Sequence, residues 1–384
     1  RIYLDEAAAA RGMNAEQLDN YAQNLPPVVA EANGDTAKAA LDFGLVDQTM
    51  TRIEFRQHLI DLVGEDEEKH TFNQVGMADY LRTIDDDRFG REAKGDKVAI
   101  IVARGSILDG SHPAGTIGGD STGALIRKAR NDEDVKAIIL RVDSGGGSAF
   151  ASEIIRRECE AARAAGIPVI ASMGSVAASG GFWISTSSDQ IWAHPSTITG
   201  SIGIFGLFAT YQRPLAEHLG LRVDGISTAP IAGVRPDREL PADISEALQQ
   251  MIEQGYRDFL ARVAESRGMT TEEVDAVAQG RVWSGADAYE LGLVDNLGDL
   301  DDAIAAAAEL AGLGDDYAVS YIEQELKFRE RLLSDLVGSA VAAAPRPEPS
   351  RLDEQFSRLK AAVRELADFN DPNHVYAWST IETD

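Results

Sequence analysis

Three short runs constrain this chain more than any other feature. Lys97–Ile107 reads KVAIIVARGSI, Val135–Asp143 reads VKAIILRVD and Ile167–Met173 reads IPVIASM. Each is short, apolar and β-branched, the pattern of a buried strand. The second ends in the glycine-rich turn DSGGGS (Asp143–Ser148), and helical spacing follows over Ala149–Ala165. The third runs into GSVAASGGFW (Gly174–Trp183), which carries the turn ASGG at Ala178–Gly181. Gln190–His194 and Leu221–Ile226 are predicted as further strands. Ala242–Arg267 predicts a long amphipathic helix with Leu248, Met251, Ile252, Tyr256, Phe259, Leu260 and Val263 on one side. Asp299–Leu310 predicts an Ala-rich helix stopped at Gly312. Strands alternating with helices imply an α/β fold built on a largely parallel sheet.

A repeat overlies this pattern. RGMNAEQLDNYAQ (Arg11–Gln23) and RGMTTEEVDAVAQ (Arg267–Gln279) share seven of thirteen positions. Each is followed by GLVD, at Gly44–Asp47 and at Gly292–Asp295. About 170 residues separate Lys97 from the second landmark, whereas only ten precede the first. The chain therefore reads as the tail of one repeat followed by one whole repeat, with a first residue, Arg1, that fits truncation. Duplication of a helical hairpin alone is the other reading. The expected organisation is a repeat tail over 1–60, a connection over 61–95, a complete repeat over 96–315 and an extension over 316–384. The extension holds a Pro-rich linker at Ala344–Ser350, a helix, and an irregular ending, FNDPNHVYAW, expected to pack on a neighbouring surface.

The two glycine turns are where chemistry is expected. Glycine lets backbone N–H groups at a strand-to-helix junction approach a ligand, and an oxyanion hole needs two such donors aimed at one developing charge. Ser179, at the start of the second helix, would then suit acyl transfer. Two ordinary tight turns remain the alternative. A serine nucleophile needs a base. None of the six histidines has a metal-binding spacing, and His194, nearest in sequence to Ser179, ends a strand beside Pro195. A Ser–His–Asp triad stays open, since its members need not be neighbours. A buried lysine is the other candidate base, yet no lysine occurs from residue 137 to residue 326.

Composition excludes several classes. A net charge of −27, from 63 acids against 36 bases, argues against a nucleic-acid or anionic-membrane surface. No GxxxxGK[ST] is present and neither turn carries GxGxxG, so no cofactor and no metal are expected. The single cysteine, Cys159, lies in a helical pattern and is expected to be a buried structural thiol. No apolar run is long enough to span a bilayer and no signal-peptide pattern opens the chain.

AASGGFWIST, HPSTITGSIGIFG, the DSGGGS turn and the GLVD–LGDLDDAI segment together resemble the signal peptide peptidase A (protease IV) family in its long, two-copy bacterial form. The resemblance covers nearly the whole chain, with the motifs in order. It implies the Clp protease/crotonase-like fold, a spiral of repeated ββα units. It implies a serine endopeptidase that degrades remnant signal peptides by a Ser–Lys dyad. Transferred residue by residue, Ser179 is the nucleophile, and Gly180 with Gly146 or Gly147 forms the oxyanion hole. Gly200, Ser201 and Gly203 are expected to line a groove that binds apolar peptides by β-augmentation. Where the family has an SPGG turn, this chain has Gly145, which loosens the turn. The dyad lysine of one-copy members corresponds here to Ile231. The lysine is therefore expected upstream, roughly 25 residues before Arg1 by the repeat spacing, and this chain alone should have little or no peptidase activity. A homo-oligomer, bound to the inner membrane on its periplasmic side through a segment preceding Arg1, is also implied. The alternatives are a crotonase-like acyl-CoA lyase or isomerase, against which AASGG argues, and a non-catalytic assembly subunit.

Overall fold

The computed structural model describes residues 1–77, 80, 95–113, 115–208, 210–227, 233–314, 316–324, 369–372 and 375–379. It divides into two units, Arg1–Gly90 and Arg91–Asp384.

The first unit is helical. Helices α1 (Ile2–Arg11), α2 (Ala15–Gln23), α3 (Leu25–Glu31), α4 (Thr36–Asp42) and α5 (Arg52–Val63) precede a hairpin of β1 (Glu65–Asp66) and β2 (Thr71–Phe72). Gly12 ends α1 in the left-handed conformation at φ 62°, and Asn14 with Gln17 forms a capping box on α2. The Arg11 guanidinium then reaches the Asp47 carboxylate (2.8 and 3.1 Å) and the Gly44 carbonyl (3.1 Å).

In the second unit the buried runs form a parallel sheet. Its strands are β3 (Lys97–Arg104), β6 (Val135–Ser144), β8 (Val169–Ala178), β9 (Gln190–Ala193), β10 (Ile198–Gly200), β12 (Val282–Ser284), β13 (Asn296–Leu297) and β14 (Ala318–Tyr321). The order is β12-β10-β8-β6-β3-β14, with β9 beside the first half of β8 and β13 on β9. All pairs are parallel except β10–β12. Helices cover both faces. Ile101, Ile138 and Leu140 pack in one core with Ile126 of α6 (Gly119–Arg130) and Ile155 of α7 (Ala149–Ala164). Ile100, Ile139 and Ile170 pack in the other with Ala303 and Ala307 of α13 (Leu300–Leu310). A strand covered on both faces has no polar side, which is why these runs are apolar at their centres, around Ile100, Ile139 and Ile170.

A smaller second sheet stands beside the first. It contains β4 (Ile107–Leu108), β5 (Ile117–Gly118), β7 (Gly146–Ser148), β11 (Phe205–Gly206) and β15 (Val375–Trp378), in the order β11-β15-β7-β4-β5. The path β6–β7–α7 is thus a ββα unit and β3–β4–β5–α6 a variant of it, the Clp protease/crotonase-like arrangement expected from the resemblance. The remaining helices are α8 (Gly180–Ser185), α9 (Gln212–Leu219), α10 (Ala242–Arg267), α11 (Thr271–Val277) and α12 (Gly285–Glu290).

Several sequence expectations are corrected. The run Lys97–Ile107 is not one strand. It breaks at Gly105 (φ 97°), where a Cβ would stand 2.5 Å from the Gly115 carbonyl oxygen. Gly146 and Gly147 do not merely end a strand but belong to β7. Leu221–Ile226 forms no strand: it pairs with no other strand among the described residues, and Leu221, Val223 and Ile226 are exposed. Val375–Trp378 is a strand of the second sheet, not an irregular ending. The Pro-rich linker at 344–350 and the helix expected after it lie outside the described residues, as does Ile231.

The repeated sequence is a repeated clamp. Gly268 ends α10 at φ 64°, and Thr270 with Glu273 forms the capping box of α11. Arg267 bonds the Asp295 carboxylate and donates to the Gly292 carbonyl at 2.9 Å. Arg11 makes the same two contacts in its own unit. The seven shared positions therefore include the arginine and the glycine stop, the capping box is rebuilt from different residues (Asn14 with Gln17, Thr270 with Glu273), and GLVD supplies the carbonyl and the carboxylate.

Candidate active site

Ser179 follows β8 directly, where the strand is flanked by β10 and β6. Its N–H donates to the Gly200 carbonyl at 2.8 Å, and its carbonyl accepts from Trp183 N–H at 2.8 Å. Its backbone stands at φ 54°, ψ −112°, a region that costs a residue with a side chain about 1–3 kcal/mol and persists only where the surroundings enforce it. Here the sheet holds one side and α8 the other. Ser179 is 1% exposed. With only six residues in α8, the donors near the serine belong to a turn more than to a helix dipole.

The two glycine turns close on each other. A Cβ on Gly180 would stand 3.0 Å from Gly146 Cα and 2.9 Å from Ser152 Oγ, and one on Gly181 would stand 2.6 Å from the Ser144 carbonyl oxygen. Any side chain there would force the turns apart. Conversely, a Cβ on Gly146 would stand 2.6 Å from the Gly180 nitrogen, so that nitrogen opens onto the first turn. The Gly146 N–H is already spent on Ser144 Oγ at 3.0 Å, and Ser144 Oγ–H donates to the Gly105 carbonyl at 2.7 Å. Of the two glycines named for the first turn, Gly147 is the one whose N–H faces the neighbouring strand β15.

The residues expected to line a groove are split by the structure. Gly200 braces Ser179 through its carbonyl and packs against Trp283. Ser201, in the left-handed region at φ 48°, donates its N–H to the Arg281 carbonyl at 2.7 Å. Ser201 and Gly203 border a cavity of about 690 Å³ together with Phe205, Tyr256 and Trp378.

Charge is organised around α8 by one carboxylate. Glu153 of α7 accepts from Trp183 Nε1 (2.9 Å) and from Arg156, Arg157 and Arg262 (2.8–3.3 Å), with Arg262 stacked over the Trp183 ring. Burial would raise its pKa, but the hydrogen bonds from Arg156, Arg262, Arg157 and Trp183 hold it far below the usual carboxylate range. The network ties α7 and α10 to the helix that begins at Ser179.

No base stands beside the serine among the described residues. Lys97 pairs with Asp132 (2.8 Å) and Lys136 with Asp96 (3.4 Å), both at the N-terminal ends of parallel strands. Ser179 is at the C-terminal end of the ten-residue β8, roughly 30 Å away at the rise of a strand. His194 binds Ser196 Oγ at 2.7 Å, and His112 the Asp109 carbonyl at 2.9 Å.

Sequence reasoning missed Ser144, Ser148, Ser152 and Asp371. The serines hold the first turn and its helix: Ser148 caps α7, and Ser152 Oγ–H donates to the Ser148 carbonyl at 2.8 Å. Asp371, 2% exposed, accepts from Ser148 Oγ–H at 2.5 Å and Phe150 N–H at 3.0 Å. The signal available was the dense serine spacing around DSGGGS; nothing local marked Asp371.

Residues 161–314 match peptidase family S49. The chain is similar to Protease 4 of Salmonella typhi, 42% identical over 381 residues, covering 98% of this chain and 60% of that protein. It is also similar to a protein of Synechocystis sp. named as a protease, 36% identical over 223 residues, covering 57% of this chain and 76% of that one. A solved membrane-bound stomatin-specific protease covers 60% of this chain and 99% of its own, at 15% identity and a TM-score of 0.39. The chain spans about three-fifths of the length of the Salmonella protein.

Proposed function

The chain belongs to peptidase family S49, and from that premise we propose that it carries the nucleophile and oxyanion hole of a serine endopeptidase whose base lies outside it. Ser179 Oγ attacks the carbonyl carbon of an extended peptide. The N–H groups of Gly180 and Gly147 receive the oxygen as it becomes an alkoxide, each worth about 2.7–4 kcal/mol in the transition state. The Ser179 proton passes to a lysine supplied from a preceding repeat, which returns it to the leaving amine. Water, deprotonated by the same lysine, then releases the acyl group from Ser179.

The observation that carries this reading is the closure of the two glycine turns around a buried serine in a strained backbone conformation. Every glycine there sits where a Cβ would meet backbone, so the turns are shaped for close approach. The absence of a lysine near Ser179 among the described residues supports an external base. The substrates proposed are apolar peptides, remnant signal peptides in particular. The whole protein is proposed to be a homo-oligomer attached to the inner membrane, on its periplasmic side, through a segment outside this chain; among the described residues no helix is long and apolar enough to cross a membrane.

The test uses two proteins. The 384-residue chain is expected to show little or no turnover of an apolar peptide, and a longer protein carrying the upstream repeat is expected to hydrolyse it unless Ser179→Ala is present. Vigorous hydrolysis by the chain alone, lost on Ser179→Ala, would overturn the external lysine. Undiminished hydrolysis by the longer Ser179→Ala protein would overturn the nucleophile.

A further inference from the structure

The site is already filled by the protein's own chain. Strand β15 lies between β7 and β11 and is antiparallel to both, with Tyr376 opposite Ser148, Ala377 opposite Gly147 and Trp378 opposite Gly146. Ser379 N–H donates to the Gly145 carbonyl at 2.6 Å. Two residues back along an antiparallel ladder the hydrogen-bonding orientation recurs, which turns Ala377 and Gly147 toward each other. The Ala377 carbonyl oxygen stands 2.9 Å from the point a Gly180 Cβ would occupy and 2.1 Å from that of Gly146. The oxygen therefore lies against Gly146 and Gly180, on the side of the first turn that the Gly180 nitrogen also faces.

We propose that Val375–Ser379 is a pseudosubstrate strap: it occupies the peptide slot in substrate register, with Ala377 in the place of the residue whose carbonyl Ser179 attacks, so it competes with substrate and marks that place as one for a small side chain. The proposal rests on the assignment of Ser179, Gly180 and Gly147 above.

Three features support it. First, Ser179 is 1% exposed with the strap in place, so a substrate reaches it only by displacing what covers it. The strap is held by three residue pairs on one side and two on the other, and an added peptide strand can replace such a ladder pair for pair. Second, Ala377 is fully buried and belongs to the main core. A larger side chain would overpack that place. Third, the strap has its own tether. Asp371 binds Ser148 and Phe150 at the rim of the slot and accepts from Val375 N–H at 3.2 Å. Asn370 exchanges two hydrogen bonds with the backbone of Asp109 (2.9 and 3.2 Å). Phe369 packs on Tyr376 and Trp378.

The test reads binding, so that it does not depend on turnover. A fluorescein-labelled peptide of residues 371–379, DPNHVYAWS, is titrated with the 384-residue chain and with its Asp371→Ala and Ala377→Trp variants. Both variants are expected to bind it at least about tenfold more tightly than the unmodified chain, because their own strap is released. A peptide with Trp in place of the alanine is expected to bind at least about tenfold more weakly. Hydrogen exchange checks folding: strand Lys97–Arg104 should stay protected in both variants, while segment 375–379 exchanges faster when excess peptide is added to the unmodified chain. Equal peptide affinity in all three chains, each with a protected core, would overturn the strap, as would unchanged exchange of 375–379 at saturating peptide. Equal binding of the Trp peptide would overturn the small-residue preference. The readouts are binding and exchange and need no turnover, so the strap stands or falls separately from the nucleophile.

Discussion

Gly147→Ala is the sharpest single perturbation of the proposed chemistry. The methyl group would stand 2.0 Å from the Ile107 carbonyl oxygen and 2.8–2.9 Å from two more backbone atoms of that residue. Ordinary contact begins above 3 Å, so β7 and β4 must part by about 1 Å. Overpacking of this kind costs about 1–3 kcal/mol. The backbone adds a similar amount, about 1–3 kcal/mol, because φ at Gly147 is 153°, which alanine adopts poorly. The displaced N–H leaves the oxyanion position. A shift of about 1 Å costs on the order of 10²-fold, and a lost donor about 10²–10³-fold in kcat. The loss should fall on kcat with KM little changed, because the donor acts on charge that develops only in the transition state. The assay is steady-state hydrolysis of an apolar peptide by a longer protein carrying the proposed lysine, alongside a thermal melt. Gly285→Ala is the control: its methyl would stand 2.1 Å from the His194 carbonyl oxygen, so it should lower Tm without a comparable loss of kcat. A Gly147→Ala enzyme that is folded and within about threefold of the parent kcat would refute the assignment of this donor.

The remaining expectations concern stability and reactivity. Arg267→Ala removes a largely buried guanidinium from Asp295 and Gly292 and should cost about 2–3 kcal/mol by urea titration. Arg11→Ala, in the exposed copy of the same clamp, should barely move the transition; equal losses at the two sites would contradict the role given to burial. The carboxyl of Glu153 is held below its unfolded value, so its contribution is complete above about pH 4.3 and is lost as the pH falls further. Glu153→Gln should flatten that part of the acid-unfolding curve, and an unchanged curve would show that the network contributes nothing. Burial pushes the Cys159 thiol up to about 12, so a thiol reagent at pH 8 should label it only at the rate of unfolding; rapid labelling of the native protein would refute its burial.

Much of the architecture was legible because its cause is local. The buried runs are apolar at their centres, around Ile100, Ile139 and Ile170, since helices cover both faces of the sheet. Helix α10 begins and ends where its amphipathic pattern does, at Ala242 and at the Gly268 stop. The error at Leu221–Ile226 has the opposite cause. A strand exists only if a neighbouring edge pairs with it, and no sequence run specifies its neighbour. AASGG singled out Ser179 as a candidate, but its φ of 54° and its brace on Gly200 were not legible.

What the sequence by itself determined was the class of fold, the pair of glycine turns and the repeated landmarks RGM and GLVD, because each depends on residue types at short spacing. What only the tertiary structure decided was which donors converge and what lies over them. Gly146 loses its N–H to Ser144, Gly147 keeps its own for a strand, and that strand arrives from a segment more than 200 residues away. Backbone hydrogen bonding is indifferent to side-chain identity, so no pattern in VYAW announced that it would pair with the first glycine turn. The pairing came from closing an open sheet edge, and only the folded chain has one.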